Sequence, residues 1–288
     1  MAVLLGLLSA FGWGVADFLV RPIGRGIGLF PTILLTQLVG LAVLTLWLAL
    51  DWSDVAPLLH TAGPGAWAAA LLAVPINLAA SYALFRGLTH GTVGIVSPLA
   101  ATFGAVTTGL AAATGEPIGG MQAAGIGCAV GGIALISAGH RPTHAGAAAG
   151  RSIGLGALAA LGFGIGFWLQ GRWAVPALGP LVPVWVYYLL GMAILLAVAR
   201  ALGQTLNRPL HGFRLRLAAS TTLGLLGYVA LTLGLRTGQI ATVAVLSSLA
   251  SGITTLLARI FLGERLAPWQ WTGVVGILIG IGLINAGR

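Results

Sequence analysis

Charged side chains are scarce in this chain, and lysine is absent altogether. Asp, Glu, Lys and Arg make up 7% of its 288 residues, whereas hydrophobic residues make up 58% and the mean hydropathy is +1.02. Soluble globular proteins are about one quarter charged. The composition therefore excludes an ordinary soluble domain and predicts an integral membrane protein whose surroundings are the lipid bilayer.

Several kinds of chemistry lack the residues they need. The single cysteine, Cys128, excludes an intrachain disulfide. No His, Cys or pair of acidic residues occurs at catalytic spacing within the apolar segments, so we expect no catalytic residue, no metal site and no cofactor. An intramembrane enzyme is kept only as the alternative from another functional class. The arginines stand singly between apolar segments, which argues against a nucleic-acid partner.

Long apolar segments divide the chain. A bilayer span needs about 20 mostly apolar residues, and Gly, Pro and charged residues mark short breaks between such segments. Because lipid offers no hydrogen-bond partner to bare backbone, these segments are predicted to be helices, which makes the protein all-α. We expect ten transmembrane helices, near residues 2–20, 29–50, 65–87, 92–113, 119–139, 153–171, 178–199, 214–235, 239–261 and 269–286.

One segment occurs twice in altered form. LGLLSAFGWGVADFL at 5–19 and LGALAALGFGIGFWL at 155–169 share seven of fifteen residues without a gap. Residues 91–117 align with 238–268 through TTGL/TTLL and a Gly-Glu pair. Helices 1 to 5 are thus predicted to repeat as 6 to 10, and since five is odd the second copy enters the membrane inverted, as in secondary carriers. The two predicted five-helix repeats are residues 1–141 and 151–288, with no soluble domain.

Small residues recur on one face of the repeated helix. Gly6, Ala10 and Gly14 are spaced every fourth position and return 150 residues later as glycine, alanine and glycine. Such a stripe predicts a close approach between helices. The alternative is that the helices slide or rock along this face during transport.

Each half closes with a Gly-Glu dipeptide before a glycine-rich last helix, at Gly115-Glu116 and Gly263-Glu264. With the ten-helix repeat, this pattern resembles the drug/metabolite transporter superfamily, in its EamA-like branch, over the whole chain. The resemblance implies export of small metabolites without ATP, and the chain lacks a P-loop. Aromatic residues in or near the spans resemble those of aromatic amino acid exporters of the YddG type, and they are Trp13, Tyr82, Trp168, Trp185 and Tyr228.

Polar and aromatic side chains near mid-span are candidates for a substrate site. Pro75 and Pro98 interrupt helices 3 and 4 and are predicted hinges, because each removes a backbone donor and frees a carbonyl one turn earlier. The polar residues could instead form a hydrogen-bond network between helices, and the two tryptophans could face lipid. The candidate substrate-binding residues are Trp13, Asn77, Ser81, Tyr82, Trp168, Tyr228 and Ser251.

Acidic residues are few, and each has a predicted role. Glu116 and Glu264 are expected to cap the helices that directly follow them. Asp17 is the sole acid placed inside a span, four residues before Arg21. It is either a proton-coupling or amine-binding carboxylate, or one partner of an ion pair at the cytoplasmic mouth. Because the spans contain so few titratable side chains, a facilitator that carries its substrate down the substrate's own concentration gradient is a candidate mechanism.

Arginine placement predicts the orientation. Connections that face the cytoplasm carry an excess of basic residues. Eleven arginines fall in the connections after odd-numbered helices and three on the other side. Both termini are therefore expected outside the cytoplasm, in a plasma membrane of the bacterial inner-membrane kind. The eleven are Arg21, Arg25, Arg86, Arg141, Arg151, Arg200, Arg208, Arg214, Arg216, Arg259 and Arg265.

These patterns together indicate a secondary transporter that exports small metabolites by alternating access. Aromatic or neutral amino acids are the preferred substrate class, so the expected partners are a small-molecule substrate and lipid. A multidrug carrier or a nucleotide-sugar carrier of the same superfamily is the main rival, and basic groups in the cavity would favour nucleotide sugars. The oligomeric state stays open, and a monomer is compatible with the pattern.

Overall fold

The computed structural model describes residues 1–91, 93–137, 147–201, 203, 211–262 and 268–287, and within these ranges the regular structure is helical, with no strand. A π-helical segment, Gln170–Ala174, joins α8 to α9. The α-helices are α1 (Ala2–Ile27), α2 (Leu29–Leu50), α3 (Trp52–Thr61), α4 (Pro64–His90), α5 (Val93–Ala101), α6 (Phe103–Ala113), α7 (Gly120–Ser137), α8 (Ala147–Leu169), α9 (Val175–Leu178), α10 (Leu181–Ala201), α11 (His211–Leu235), α12 (Ile240–Ser248), α13 (Ala250–Leu262) and α14 (Pro268–Ala286).

Six helical runs in the described ranges are long and apolar enough to cross a membrane. They are α1, α2, α4, α10, most of α11, and a run from Gly150 to Leu178 that comprises most of α8, the π-helical segment and α9. Shorter apolar helices lie at Leu99–Ala113, Ile240–Thr254 and Val275–Ile284. The prediction of an all-α fold is confirmed for the described ranges, and these helices have the length and composition of membrane spans.

The first connection differs from the sequence prediction. The first span was expected to end at residue 20, before Arg21-Pro22, but α1 continues to Ile27 with Pro22 inside it. A proline removes one hydrogen bond of a helix, and the remaining bonds suffice to continue it. The helix ends where Gly28 adopts a φ of +91°, a conformation that residues with a side chain rarely adopt. The break expected between the spans 29–50 and 65–87 contains the short helix α3.

Two predicted single spans are each broken near the middle. Thr102 separates α5 from α6, and Leu249 separates α12 from α13. These positions are equivalent in the repeat, since both precede the first threonine of the aligned TT pair by five residues. Pro98 lies inside α5, whereas α12 contains no proline, so the break does not depend on one. Pro75 likewise lies inside the continuous helix α4.

Helix packing relates the two halves of the chain. α1 packs along α11 and along the broken pair α12–α13. In the same way, α8 packs along α4 and along the broken pair α5–α6. The closing helices α7 and α14 pack against each other. Each of these contacts therefore has a counterpart with the halves exchanged.

The small-residue stripe lies at these contacts. A Cβ built on Gly6 would lie 2.8 Å from Cβ of Leu246, and one built on Gly156 would lie 2.7 Å from Cβ of Leu99. Leu99 and Leu246 are themselves equivalent in the second sequence repeat. Only hydrogen fits at either glycine without a shift of the neighbouring helix. The interpretation of the stripe as a close helix approach is confirmed.

Glu116 caps a helix, but not the one that follows it. Its carboxylate accepts hydrogen bonds from the backbone N of Ala241, at 3.1 Å to Oε1 and 3.3 Å to Oε2, at the start of α12. The expectation that it caps α7 is wrong, because the chain turn after α6 brings the carboxylate to the free amide groups of the neighbouring helix. Burial raises the pKa of Glu116, and the bonds from Ala241 and Ile240 partly oppose this. Glu264 lies outside the described residues.

Candidate functional site

A cavity of about 980 Å³, its open part included, lies inside the bundle. We call the end where α1 and α4 finish the Ile27 end, and the end where α11 finishes the Leu235 end. On α1 the residues that line the cavity begin at Trp13, and on α4 they begin at Asn77. From there the lining residues of both helices continue towards the Ile27 end. Beyond this lining, towards the Leu235 end, the helices pack through side chains without exposed surface, among them Leu178, Leu231, Leu235 and Val243.

Both halves contribute to the lining. α1, α4, α8, α11 and the two broken pairs all reach the cavity, and so do α2 and α10, which carry none of the candidate substrate-binding residues. α2 supplies Ile33, Thr36 and Gln37, and α10 supplies Tyr187 and Tyr188. The cavity is thus built at the contact between the halves.

Aromatic rings form one wall of the cavity. Phe167 is 2% exposed and has four aromatic neighbours at centroid distances of 5.3 to 6.0 Å. It stacks on Trp13 at 5.3 Å and on Phe163 at 5.5 Å, with interplanar angles of 20° and 11°. Offset or edge contacts between rings of this kind stabilise a fixed arrangement. The four neighbours of Phe167 are Trp13, Phe103, Phe163 and Tyr228.

Polar side chains with hydroxyl and amide groups lie beside this wall. The hydroxyl of Tyr228 accepts hydrogen bonds from Gln170 Nε2 at 2.5 Å and from Asn77 Nδ2 at 3.4 Å. The hydroxyls of Ser81 and Tyr187 lie 3.1 Å apart and share one hydrogen bond. Thus Asn77, Ser81 and Tyr228, which the sequence analysis proposed separately, are neighbours in the structure.

Asp17 and Ser251 also line the cavity. Asp17 occupies the position equivalent to Phe167, because the repeated segments are offset by 150 residues. One half of the fold therefore presents a carboxylate to the cavity where the other half presents a phenyl ring. Ser251 is 8% exposed, and its carbonyl accepts a hydrogen bond from Ser97 Oγ. Trp13 is fixed by a bond from its Nε1 to the carbonyl of Gly224 at 3.1 Å.

Two predicted residues lie elsewhere. Tyr82 is 42% exposed and accepts a hydrogen bond from Arg86 on the outside of α4. Trp168 donates from Nε1 to Thr114 Oγ1 and packs edge-on against Trp173, away from the cavity. Each is adjacent in sequence to a cavity residue, Ser81 and Phe167 respectively. Successive residues of a helix point about 100° apart, which takes Tyr82 and Trp168 off the cavity face.

The sequence analysis missed several lining residues, and the repeat contained the signal for two of them. Phe163 and Phe167 are the counterparts of Trp13 and Asp17 at the offset of 150 residues. A comparison of each candidate in the first half with the residue 150 positions later would have identified Phe163 and Phe167. Nothing in the sequence singled out Gln37, which lies in the apolar helix α2 and is 2% exposed.

Comparison with known proteins gives the family. Residues 1–138 and 150–286 match the model of the EamA-like transporter family. A crystal structure of a protein aligns with 98% of this chain and 95% of its own, with a TM-score of 0.75 and 17% sequence identity, which shows a shared fold. No curated protein sequence matches significantly. With a family match along both halves and a fold that encloses a cavity between them, the chain belongs to the EamA-like transporter family, whose members are membrane transporters of the drug/metabolite superfamily.

Proposed function

We propose that this transporter exports amino acids, with aromatic or neutral side chains preferred, as in exporters of the YddG type. The observation that carries the proposal is the cavity itself, in which an aromatic wall faces a small set of hydroxyl and amide groups. A small zwitterion needs a few polar anchors in an otherwise apolar pocket. Phe163 and Trp13 offer ring faces to its side chain, and Tyr228, Ser81 and Asn77 offer polar contacts.

The proposed mechanism is alternating access between two inverted halves, residues 1–141 and 151–288, in ten transmembrane helices. The exchange-symmetric helix contacts support it, because a fold of related halves has two related arrangements of similar energy. In the proposed orientation, in a bacterial inner membrane, the Ile27 end faces the cytoplasm. The cavity then extends towards the cytoplasm, while the Leu235 end faces outward.

The main rival is a multidrug or nucleotide-sugar carrier. A nucleotide sugar carries a diphosphate, which requires basic partners. No arginine is among the described residues that line the cavity, and Asp17 would repel an anion there. The lining therefore favours a zwitterion or an uncharged aromatic molecule over a nucleotide sugar.

Counterflow in liposomes tests the proposal. Purified protein is reconstituted with one unlabelled amino acid inside, and uptake of a labelled panel is measured against liposomes without protein. We expect counterflow of aromatic and neutral amino acids and none of nucleotide sugars. Uptake of nucleotide sugars, or of cationic dyes alone, would assign the rival function.

Asp17→Asn is expected to keep substantial downhill counterflow of a neutral amino acid. The amide retains the shape of the side chain, and a facilitator needs no titrating carboxylate. Counterflow and uptake driven by a proton gradient are measured on the same liposomes. Loss of downhill exchange in a folded variant would contradict the facilitator mechanism, whereas loss of proton dependence alone would assign coupling to Asp17.

A cysteine added after residue 288 is expected to react with a membrane-impermeant maleimide in intact cells, with Cys128 replaced. The reason is the arginine excess at the Ile27 end, which predicts termini outside the cytoplasm. A cysteine at exposed Arg151, close to the start of α8, is the matched site for the opposite face and should react only after lysis. The reverse pattern would invert the proposed orientation.

A further inference from the structure

The two halves contribute equivalent positions to the cavity. A Cβ built on Gly40 would meet the ring of Tyr188, and one built on Gly191 would meet the amide of Gln37. The two glycines are 151 residues apart and so are the two side chains, so exchange of the halves converts the first contact into the second. Gln37 of α2 and Tyr188 of α10 are therefore equivalent, and both line the cavity.

α4 and α11 are equivalent in the same way. Residues 77–91 and 224–238 share six of fifteen residues without a gap, at an offset of 147. The packing agrees, because a Cβ on Gly12 would lie 2.6 Å from the carbonyl oxygen of Leu223. A Cβ on its counterpart Gly162 would lie 3.2 Å from that of Ile76. Two further pairs of equivalent cavity residues follow, Asn77 with Gly224 and Ser81 with Tyr228.

The equivalent positions differ in chemistry between the halves. At three pairs the first half supplies a polar side chain and the second half supplies an aromatic ring. At a fourth pair Asn77 has only a glycine as its counterpart, and at a fifth Trp13 and Phe163 are both aromatic. The helices around the cavity are thus arranged symmetrically, whereas the polar groups and rings at these positions are distributed unequally. The three pairs are Asp17 with Phe167, Gln37 with Tyr188, and Ser81 with Tyr228.

The rings of the second half form one continuous group. The ring centroid of Tyr187 lies 5.3 Å from that of Tyr188 and 5.3 Å from that of Tyr228. Tyr228 in turn lies 6.0 Å from Phe167. Aromatic rings attract one another at such distances, so this group can hold the ring of a ligand.

Two amides of the first half have hydrogen-bonding capacity that no described residue uses. Gln37 is 2% exposed and Asn77 is 1% exposed, and no described group bonds to Nε2 of the first or to Oδ1 of the second. The amide of Gln37 and the side chain of Leu78, which follows Asn77, both approach Gly191, so α2 and α4 present the two amides at a similar depth. Buried polar atoms are nearly always paired, and a ligand in the cavity would complete these two.

We propose that the transported amino acid binds in one orientation, with its head group against Gln37 and Asn77 of the first half and its side chain against the rings of the second half. The head group carries donors on its ammonium group and acceptors on its carboxylate. An amide can offer either partner, because a half-turn exchanges its nitrogen and oxygen. Gln37 is thereby a determinant of head-group affinity, and Tyr188 is a determinant of side-chain selectivity. The inference rests on the proposed amino acid transport.

Gln37→Leu tests the head-group contact. Leucine is similar in size and lacks the unpaired amide, so the purified variant without ligand should unfold at the same temperature as the unaltered protein or at a higher one. Binding of L-phenylalanine and L-leucine is measured by tryptophan fluorescence, since Trp13 lines the cavity. We expect both amino acids to bind about 10- to 100-fold more weakly, which is the range for a lost hydrogen bond to a charged group. Gln37→Met gives the same readout if Gln37→Leu does not fold.

Tyr188→Leu is the matched variant, because it makes the same replacement at the equivalent position of the second half. It should weaken the binding of L-phenylalanine by about 2- to 10-fold relative to that of L-leucine, which is the range for the loss of one ring contact. Phe163→Leu removes another ring of the second half and serves if Tyr188→Leu does not fold.

The two amino acids separate the outcomes. A folded Gln37 variant that binds both normally, or that loses affinity for L-phenylalanine alone, would overturn the inference. Weaker binding together with a lower unfolding temperature would make Gln37 a structural residue and overturn it as well. So would an equal loss for the two amino acids in the second-half variant. If the unaltered protein binds neither amino acid, the proposed function fails with the inference.

Discussion

Gly12→Ala is expected to destabilise the protein strongly, although alanine is the better helix former. A Cβ at Gly12 would lie 2.6 Å from the carbonyl oxygen of Leu223 and 3.0 Å from Cα of Gly227. Both are backbone atoms of α11, so relief requires the two helices to separate. Overpacking lowers the free energy of unfolding by about 1 to 3 kcal/mol where side chains can adjust. Because backbone atoms cannot move aside in this way, we expect a loss at or above the upper end of that range.

The matched control is Gly127→Ala in α7. Gly127 is exposed, and a Cβ there would meet nothing within 4 Å. Its replacement should raise stability by up to about 1 kcal/mol through helix propensity alone. The free energy of unfolding in mixed detergent and the monodisperse fraction after purification are compared for both variants. Equal stability of the two would contradict the close crossing of α1 and α11.

Gly224→Phe is expected to abolish transport while leaving the fold intact. Gly224 lines the cavity, and a Cβ there would have only Ala16 nearby, at an ordinary contact distance of 3.7 Å. A phenyl ring therefore has room to enter the cavity and occupy the space of the substrate. Its carbonyl remains available to Trp13 Nε1, so the local hydrogen bond persists. Counterflow should fall to the level of liposomes without protein.

Gly127→Phe serves as the control, because it adds the same ring to an exposed helix face outside the cavity. Thermal unfolding of both variants establishes that they are folded before transport is compared. Gly224→Ala should reduce transport partially, since a methyl group takes up less of the cavity. Normal counterflow by a folded Gly224→Phe variant would mean that the substrate follows another route through the bundle.

The repeats explain why much of the cavity lining was predictable. Sequence periodicity identified the helices that carry Trp13, Asn77, Ser81, Tyr228 and Ser251, and all five line the cavity. Tyr82 and Trp168 do not line the cavity, and the preceding residue of the same helix lines it in each case. In a soluble helix the alternation of apolar and polar residues marks the buried face. A membrane helix is apolar on nearly all sides, so this alternation is too weak to show which face points to the cavity.

The sequence alone determined that the chain lies in a membrane and is helical, because so few charges and such long apolar runs leave no other stable state. It also determined where helices come close, since only glycine permits the approach seen at Gly6 and Gly156. The tertiary structure decided the rotation of each helix, the breaks at Thr102 and Leu249, and the helix that Glu116 caps. The cap depends on a contact between residues more than 100 positions apart in sequence, Glu116 with Ala241, and no local pattern encodes such a contact.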